Sequence, residues 1–134
     1  MTGPLHGAKI VDFSHFVCGP YATKLLGDYG ADVIKIEPPA GDPIRNFGPF
    51  PGDEPHPEKS GSFAYLNTNK RSVVLDLETA AGRDAAMRLM ERADVVVESF
   101  SPGTMDKLGL GWAALHARNP VASMVSISNF GHDS

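Results

Sequence analysis

LNTNKRSVVLDLETAAGRDAAMRLMERADVVVESFSPG, residues 66–103, sets a strand, an amphipathic helix and a second strand between two polar turns. SVVLDL, residues 72–77, is rich in β-branched residues, as a buried strand requires. Thr79 follows as a helix N-cap, and Ala85, Ala86, Leu89, Met90 and Ala93 recur at helical spacing to form a buried stripe. Arg83, Asp84, Arg88, Glu91 and Arg92 fall on the wet face. DVVV, residues 94–97, is the next strand. The turns are Asn67, Thr68, Asn69, Lys70 and Arg71 on one side and residues 99–103 on the other. Parallel strands would open these turns on one edge of a sheet, where open α/β sheets bind ligands. Lys70, Arg71 and, further on, Lys107 are then expected beside turns on that edge, as cations for a phosphorylated ligand. Lys70 and Arg71 have a second possible role as anchors of their own loop.

The flanking sequence extends the same pattern. KIVDF, residues 9–13, is a short strand followed by a polar loop. Pro20 sits in a first helical turn, with Ala22, Leu25, Leu26 and Tyr29 at helical spacing and Gly30 as the stop. DVIKI, residues 32–36, completes a βαβ unit. Residues 37–61 hold seven of the eleven prolines and little apolar periodicity, so a long loop draped over the binding edge is expected there. Downstream, residues 112–118 form a short helix stopped by Asn119 and Pro120, and residues 123–128 form a fifth strand. The strands are nearly continuous in apolar residues, which a parallel sheet covered on both faces demands. The fold class is therefore α/β, a Rossmann-like parallel sheet with helices on both faces, in one domain over residues 1–134. A dinucleotide fold with Glu37 on a ribose fails at its defining turn: SHFVCGPYA has Gly19 alone where three spaced glycines are required.

Composition narrows the function classes. Twelve basic against sixteen acidic residues give a net charge of -4, which disfavours nucleic acid or an anionic membrane surface as partner. Cys18 is the only cysteine, so neither an internal disulfide nor a Cys-based metal cluster can form. The first residues, MTGPLHGAKIVDF, contain no apolar run of signal-peptide or membrane-span length, and a cytoplasmic protein without a metal is expected.

The order LHGAKIVDFSHFVCGPYATKLLGDYGADVIKIEPPAGDPIR, LNTNKRSVVLDLETAAGRD, ADVVVESFSPGTMDKLGLGW and NPVASMVSISNFG resembles the N-terminal part of the family III CoA-transferases. That family includes formyl-CoA, carnitine-CoA and succinyl-CoA-dependent transferases and α-methylacyl-CoA racemases. The resemblance implies coenzyme A or an acyl-CoA as the bound substrate and a carboxylic acid as the second. It places CoA along the carboxyl edge of the sheet, with contacts from Val17 and Cys18 in the first turn and from Pro38 after the second strand. Members that place an arginine at the latter position use its charge and flat face against the adenine nucleotide, whereas Pro38 can only pack. Leu75, Asp76, Leu77 and Glu78 are similar to the family's adenine-binding segment. Ser99, Phe100 and Ser101 match a turn usually written Asn, Phe, Arg, so an amide and a cation are exchanged for hydroxyls. Lys107 matches a basic residue that meets a CoA phosphate.

The same resemblance implies an aspartyl anhydride and an enzyme-CoA thioester as intermediates. Asp12, Asp76 and Asp94 do not match the context of the family's nucleophilic aspartate, so no catalytic residue is expected in this chain, and the family's small domain and returning C-terminal segment are expected outside it. Three outcomes follow for the chain: the CoA-binding part of a transferase, a non-catalytic CoA-binding module or subunit, or part of a racemase-type isomerase. The family's interlocked homodimer is expected for the full-length protein. Other candidates have plainer roles. His15 and Cys18 suggest a base and nucleophile, but a small thiol packed in the first turn is the expected role of Cys18. His132 and Asp133 suggest a racemase pair, yet their position directly after the FG motif marks them as loop. Arg45 has two roles open, phosphate contact and internal ion pair.

Overall fold

The computed structural model describes residues 2–132. The chain runs β1 (Lys9–Asp12), α1 (Cys18–Asp28), β2 (Asp32–Glu37), two single 3-10 turns (Pro43–Asn46 and Pro51–Asp53), α2 (Gly61–Leu66), β3 (Lys70–Val74), α3 (Ala80–Met90), β4 (Val95–Glu98), α4 (Thr104–Lys107), α5 (Trp112–Arg118) and β5 (Ser123–Ser126). The strands form one sheet in the order β3-β2-β1-β4-β5, and every neighbouring pair is parallel. This is the Rossmann-like α/β arrangement. All five carboxyl ends lie on one edge, and the strand order reverses between β1 and β4.

The two faces of the sheet bury different chemistry. On one, Val11, Phe13, Ile36 and Val96 pack against Ala86, Met87 and Met90 of α3 and Leu115 of α5. On the other, Ile10, Val33 and Val97 form a smaller apolar cluster with Leu26 of α1. The carboxyl half of this second face is polar: Asp12, Ser14, Lys35 and Glu37 are all buried there.

Several boundaries differ from the sequence pattern. β3 begins at Lys70 and ends at Val74, because its register with β2 runs from Val33↔Lys70 to Glu37↔Val74. Leu75 gives one further ladder bond, from its N–H to the Glu37 carbonyl at 2.9 Å, and Leu75 and Leu77 then turn into the α3 core. Lys70 and Arg71 therefore start a strand at the edge opposite the carboxyl ends, and the expectation that they flank the open edge is wrong. Arg71 pairs with Asp32 at 2.7 Å on the surface.

The α1 stripe is also corrected. The helix buries Gly19, Pro20, Thr23 and Gly27, while Ala22, Leu25 and Tyr29 face outward. Small residues let α1 approach the sheet closely, and Thr23 supplies what the polar half of that face needs, its hydroxyl donating to Asp12 Oδ2 at 2.6 Å. Residues 37–61 are not structureless, for two 3-10 turns punctuate them. A helix that apolar periodicity did not signal, α2, follows, with the Ser60 hydroxyl accepting from Phe63 N–H at 3.1 Å as its cap.

Thr23→Val keeps the shape of the side chain and removes the donor to a buried carboxylate. It is expected to lower unfolding free energy by about 1–3 kcal/mol, read from urea denaturation at neutral pH.

Candidate functional site

The site is built on a group of buried charges beneath the carboxyl edge. Asp12 of β1 accepts from Thr23 and from the Ser14 hydroxyl and backbone N–H, and its Oδ2 pairs with Lys70 Nζ at 3.0 Å. Lys35 of β2 donates to the Ser14 carbonyl at 2.8 Å and stands 2.7 Å from Asp42 Oδ2, a charge contact without hydrogen-bond alignment. Glu37 takes both arms of Arg45, at 2.7 and 2.8 Å, together with the Ser72 hydroxyl at 2.6 Å and the Asp42 backbone N–H at 3.0 Å. Three carboxylates meet three cations, so the cluster carries no net charge. Arg45 is thereby an internal ion-pair partner, and Glu37, 2% exposed, is not free for a ribose.

The titration of these groups follows from their partners. Burial raises the Glu37 carboxyl, but Arg45, Ser72 and the Asp42 backbone outweigh it and hold the group at about 2. Burial likewise opposes Asp12, and Lys70 with Lys35 keeps it below the usual carboxylate range. Lys70 is pushed down to about 8 by burial, against the pull of Asp12. Each of these groups is paired within the cluster.

Above this layer lies the loop between β1 and α1. Phe16 is left-handed, with φ of 70°, a conformation that costs a non-glycine residue about 1–2 kcal/mol. Its N–H is held by Asp42 Oδ1 at 3.2 Å. Next to it, the His15 N–H donates to Ser99 Oγ at 2.9 Å, and the His15 ring meets Phe100 edge-on at 5.3 Å. The loops after β1 and β4 are thus tied to each other at the point where the strand order reverses. Gly19 permits the tight return into α1, since a Cβ there would lie 2.2 Å from Ser14 Cβ. Burial holds His15 below the ordinary imidazole value, with Asp42 pulling the other way.

An open cavity of about 540 Å³ occupies this crevice, between residues 15–19, 99–102 and 127–131. Among the described residues its lining carries no Lys, Arg, Asp or Glu and combines aromatic rings with the hydroxyls of Ser99, Ser101 and Ser128 and the amide of Asn129. Such a wall suits an uncharged chain bearing amides rather than a phosphate. Five of the sequence-predicted residues, Val17, Cys18, Ser99, Phe100 and Ser101, come together here.

The others lie along the same edge but outside the cavity. Pro38 follows β2, half-buried, with its carbonyl accepting from Gly41 N–H at 2.8 Å. Leu75, Asp76, Leu77 and Glu78 follow β3, about 10 Å from β1 at the usual strand spacing. Arg83, half-buried, donates to the Leu77 and Glu78 carbonyls at 3.0 and 2.8 Å and clamps that segment. Lys107 closes α4, exposed. Cys18 is exposed as the first residue of α1, so its expected role as a packed thiol is wrong. His132 Nε2 stands 3.9 Å from buried Glu98, and Asp133 lies outside the described residues. The loop after β5, with Ile127, Asn129 and Phe130, was not foreseen as a wall. The expected strand ran through Ser128, whereas β5 ends at Ser126, and the left-handed Gly131 was the available turn signal.

A parallel sheet with a crevice at its switch point defines the class of α/β proteins that bind nucleotide-containing ligands across strand ends. Residues 5–134 match the model of CoA-transferase family III, and the chain belongs to that family. It is 45% identical over 129 residues to a succinyl-CoA:mesaconate CoA-transferase of Haloarcula hispanica, covering 96% of this chain and 33% of that protein. It is 40% identical over 130 residues to an acetyl-CoA:oxalate CoA-transferase of Acetobacter aceti, covering 96% of this chain and 32% of that one. The crystal structure of a CAIB/BAIF family protein from Brucella suis superposes with a TM-score of 0.91 at 39% identity, over 100% of this chain and 35% of that one. The chain therefore spans about a third of the length of the relatives it matches.

The depressed Glu37 carboxyl makes a pH prediction. Its ordinary value is 4.5 and its folded value about 2, so its contribution to stability is complete above pH 4.5 and is lost as pH falls towards 2. Denaturation midpoints measured across this window should fall steeply for the parent protein and less steeply for Glu37→Gln, which has no charge to lose there.

Proposed function

We propose that this protein moves CoA from an acyl-CoA thioester to a carboxylic acid, and that residues 1–134 supply its CoA-binding part. The uncharged crevice at the switch point, in a chain of this family, carries the proposal. The pantetheine arm of CoA has amides and no charge and fits the walls of Phe100, Val17 and the serine hydroxyls. The adenine is assigned to the Leu75, Asp76, Leu77 and Glu78 segment with Pro38 packing beside it, and a phosphate to Lys107.

Covalent catalysis of this kind divides one hard displacement into easier ones. An enzyme carboxylate attacks the donor thioester carbonyl and expels the CoA thiolate, leaving a mixed anhydride. The thiolate attacks the enzyme's acyl carbon, releasing the donor acid and forming an enzyme-CoA thioester. The acceptor carboxylate repeats the sequence in reverse and leaves as its CoA thioester, regenerating the enzyme carboxylate. Asp12 and Asp42 are locked in buried ion pairs, and Asp76 and Asp94 accept from the backbone N–H groups of Glu78 and Lys9, so none of them is assigned this role. These residues bind and orient, and they keep the departing thiolate against a neutral wall from which it can return. An interlocked homodimer is the assembly proposed for the full-length protein. The donor and acceptor pairs named in the relatives, succinyl-CoA with mesaconate and acetyl-CoA with oxalate, are the first to assay.

Two probes separate the parts of the site. Phe100→Ala should weaken binding of pantetheine and CoA by about tenfold and leave 3′,5′-ADP nearly unchanged, since only the arm meets that ring. Lys107→Ala should weaken 3′,5′-ADP and CoA by about fivefold, more at low salt, and spare pantetheine. Calorimetric titration showing no CoA affinity in the parent would overturn the proposal.

A further inference from the structure

We infer that the buried pair Lys35 and Asp42 positions the CoA-binding loop, by holding Phe16 in a left-handed conformation that the sequence alone would not keep. This rests on the CoA-binding function proposed above.

Phe16 carries a positive φ without being glycine, asparagine or aspartate, the residues that tolerate it best. Strain of this kind persists only where the surroundings over-determine it, and it concentrates where a backbone has to be aimed. The restraints here are specific. Asp42 Oδ1 accepts from the Phe16 N–H at 3.2 Å and from Ile44 N–H at 3.0 Å. Lys35 holds the Ser14 carbonyl two residues earlier, at 2.8 Å, and neutralises Asp42 from the other side. Both charged side chains are fully buried and neither lines the cavity. The residues they restrain, Phe16 and its neighbours His15 and Val17, do line it. The Phe16 ring leans edge-on against Phe47 at 5.1 Å, so the proline-rich segment supports the same loop through a second contact. Asp42 also belongs to that segment. Residues 37–61 thus act on the site from below as a brace for the first wall of the crevice, and Lys35 and Asp42 are positioning residues that never touch the ligand.

Two pairs of variants test this by CoA titration, each with its folded fraction fixed by urea denaturation. Phe16→Asn and Phe16→Val both lose the ring and its contact with Phe47, but only valine resists positive φ. Phe16→Val should bind CoA about tenfold more weakly than Phe16→Asn. In the second pair, Lys35→Met with Asp42→Asn removes both charges and keeps an oxygen to accept from the Phe16 N–H, whereas Lys35→Met with Asp42→Leu removes that acceptor. The first double variant, which loses the Lys35 hold on the Ser14 carbonyl, should bind CoA about threefold more weakly than the parent and the second at least about tenfold more weakly. A parent that binds CoA, with Phe16→Asn and Phe16→Val equal, overturns the inference and leaves the functional proposal standing. A parent with no CoA affinity overturns both. Should the leucine variant fail to fold, Lys35→Met with Asp42→Asn at parental CoA affinity overturns the inference.

Discussion

The ion pair between Lys35 and Asp42, with the neutral cluster around it, is the constraint on which the rest of this molecule depends. A parallel sheet buried on both faces ordinarily fills them with aliphatic side chains, and one face here obeys that rule. The other trades its carboxyl half for three carboxylates and three cations. Ion pairs this deep are costly to desolvate, and replacing them with apolar residues is often neutral or stabilising elsewhere. Their value here is geometric. They join β1, β2, β3, α1 and the proline-rich segment through bonds with direction, which aliphatic packing cannot supply, and that direction reaches the crevice loop.

The crevice above inherits its character from this division. Beneath the crevice the charges lie in the buried layer, paired with one another, and the described walls of the opening are neutral. A CoA molecule has an uncharged arm and a highly charged nucleotide. The arrangement proposed sends the arm into the neutral crevice and the nucleotide along the rim towards β3 and α4. In the arrangement proposed, Ser99 and Ser101 leave that wall of the crevice uncharged and phosphate recognition falls to Lys107.

Much of the architecture was legible in the sequence because its signals are local. The β-branched runs marked all five strands, Thr79 marked the start of α3, and Asn119 and Pro120 marked the end of α5. Motif order identified the family. The failures share one cause, which is that buried polarity has no sequence period. Leu25 and Tyr29 resembled a core stripe and are exposed, because α1 turns Thr23 and small residues to a polar sheet face. Lys70 resembled a turn cation for a phosphorylated ligand and is buried against Asp12. Residues 37–61 resembled an unstructured loop, because their order comes from Glu37, Asp42 and Arg45 finding partners across long sequence separations. Among the residues that line the crevice, Val17, Cys18, Ser99, Phe100 and Ser101 were picked out by motif resemblance. The wall contributed by Ile127, Asn129 and Phe130 was missed because β5 stops two residues early.

The central claim is that CoA binds along the carboxyl edge, with its arm in the crevice at the switch point between β1 and β4. Titration of CoA into ¹⁵N-labelled protein, followed by amide chemical shifts, tests it most directly. Shifts concentrated in residues 15–19, 99–102 and 127–131, with a second group around residues 75–78 and 107, are the expected result. Shifts concentrated at the opposite edge, around Gly7, Gly30 and Asn69, would contradict it.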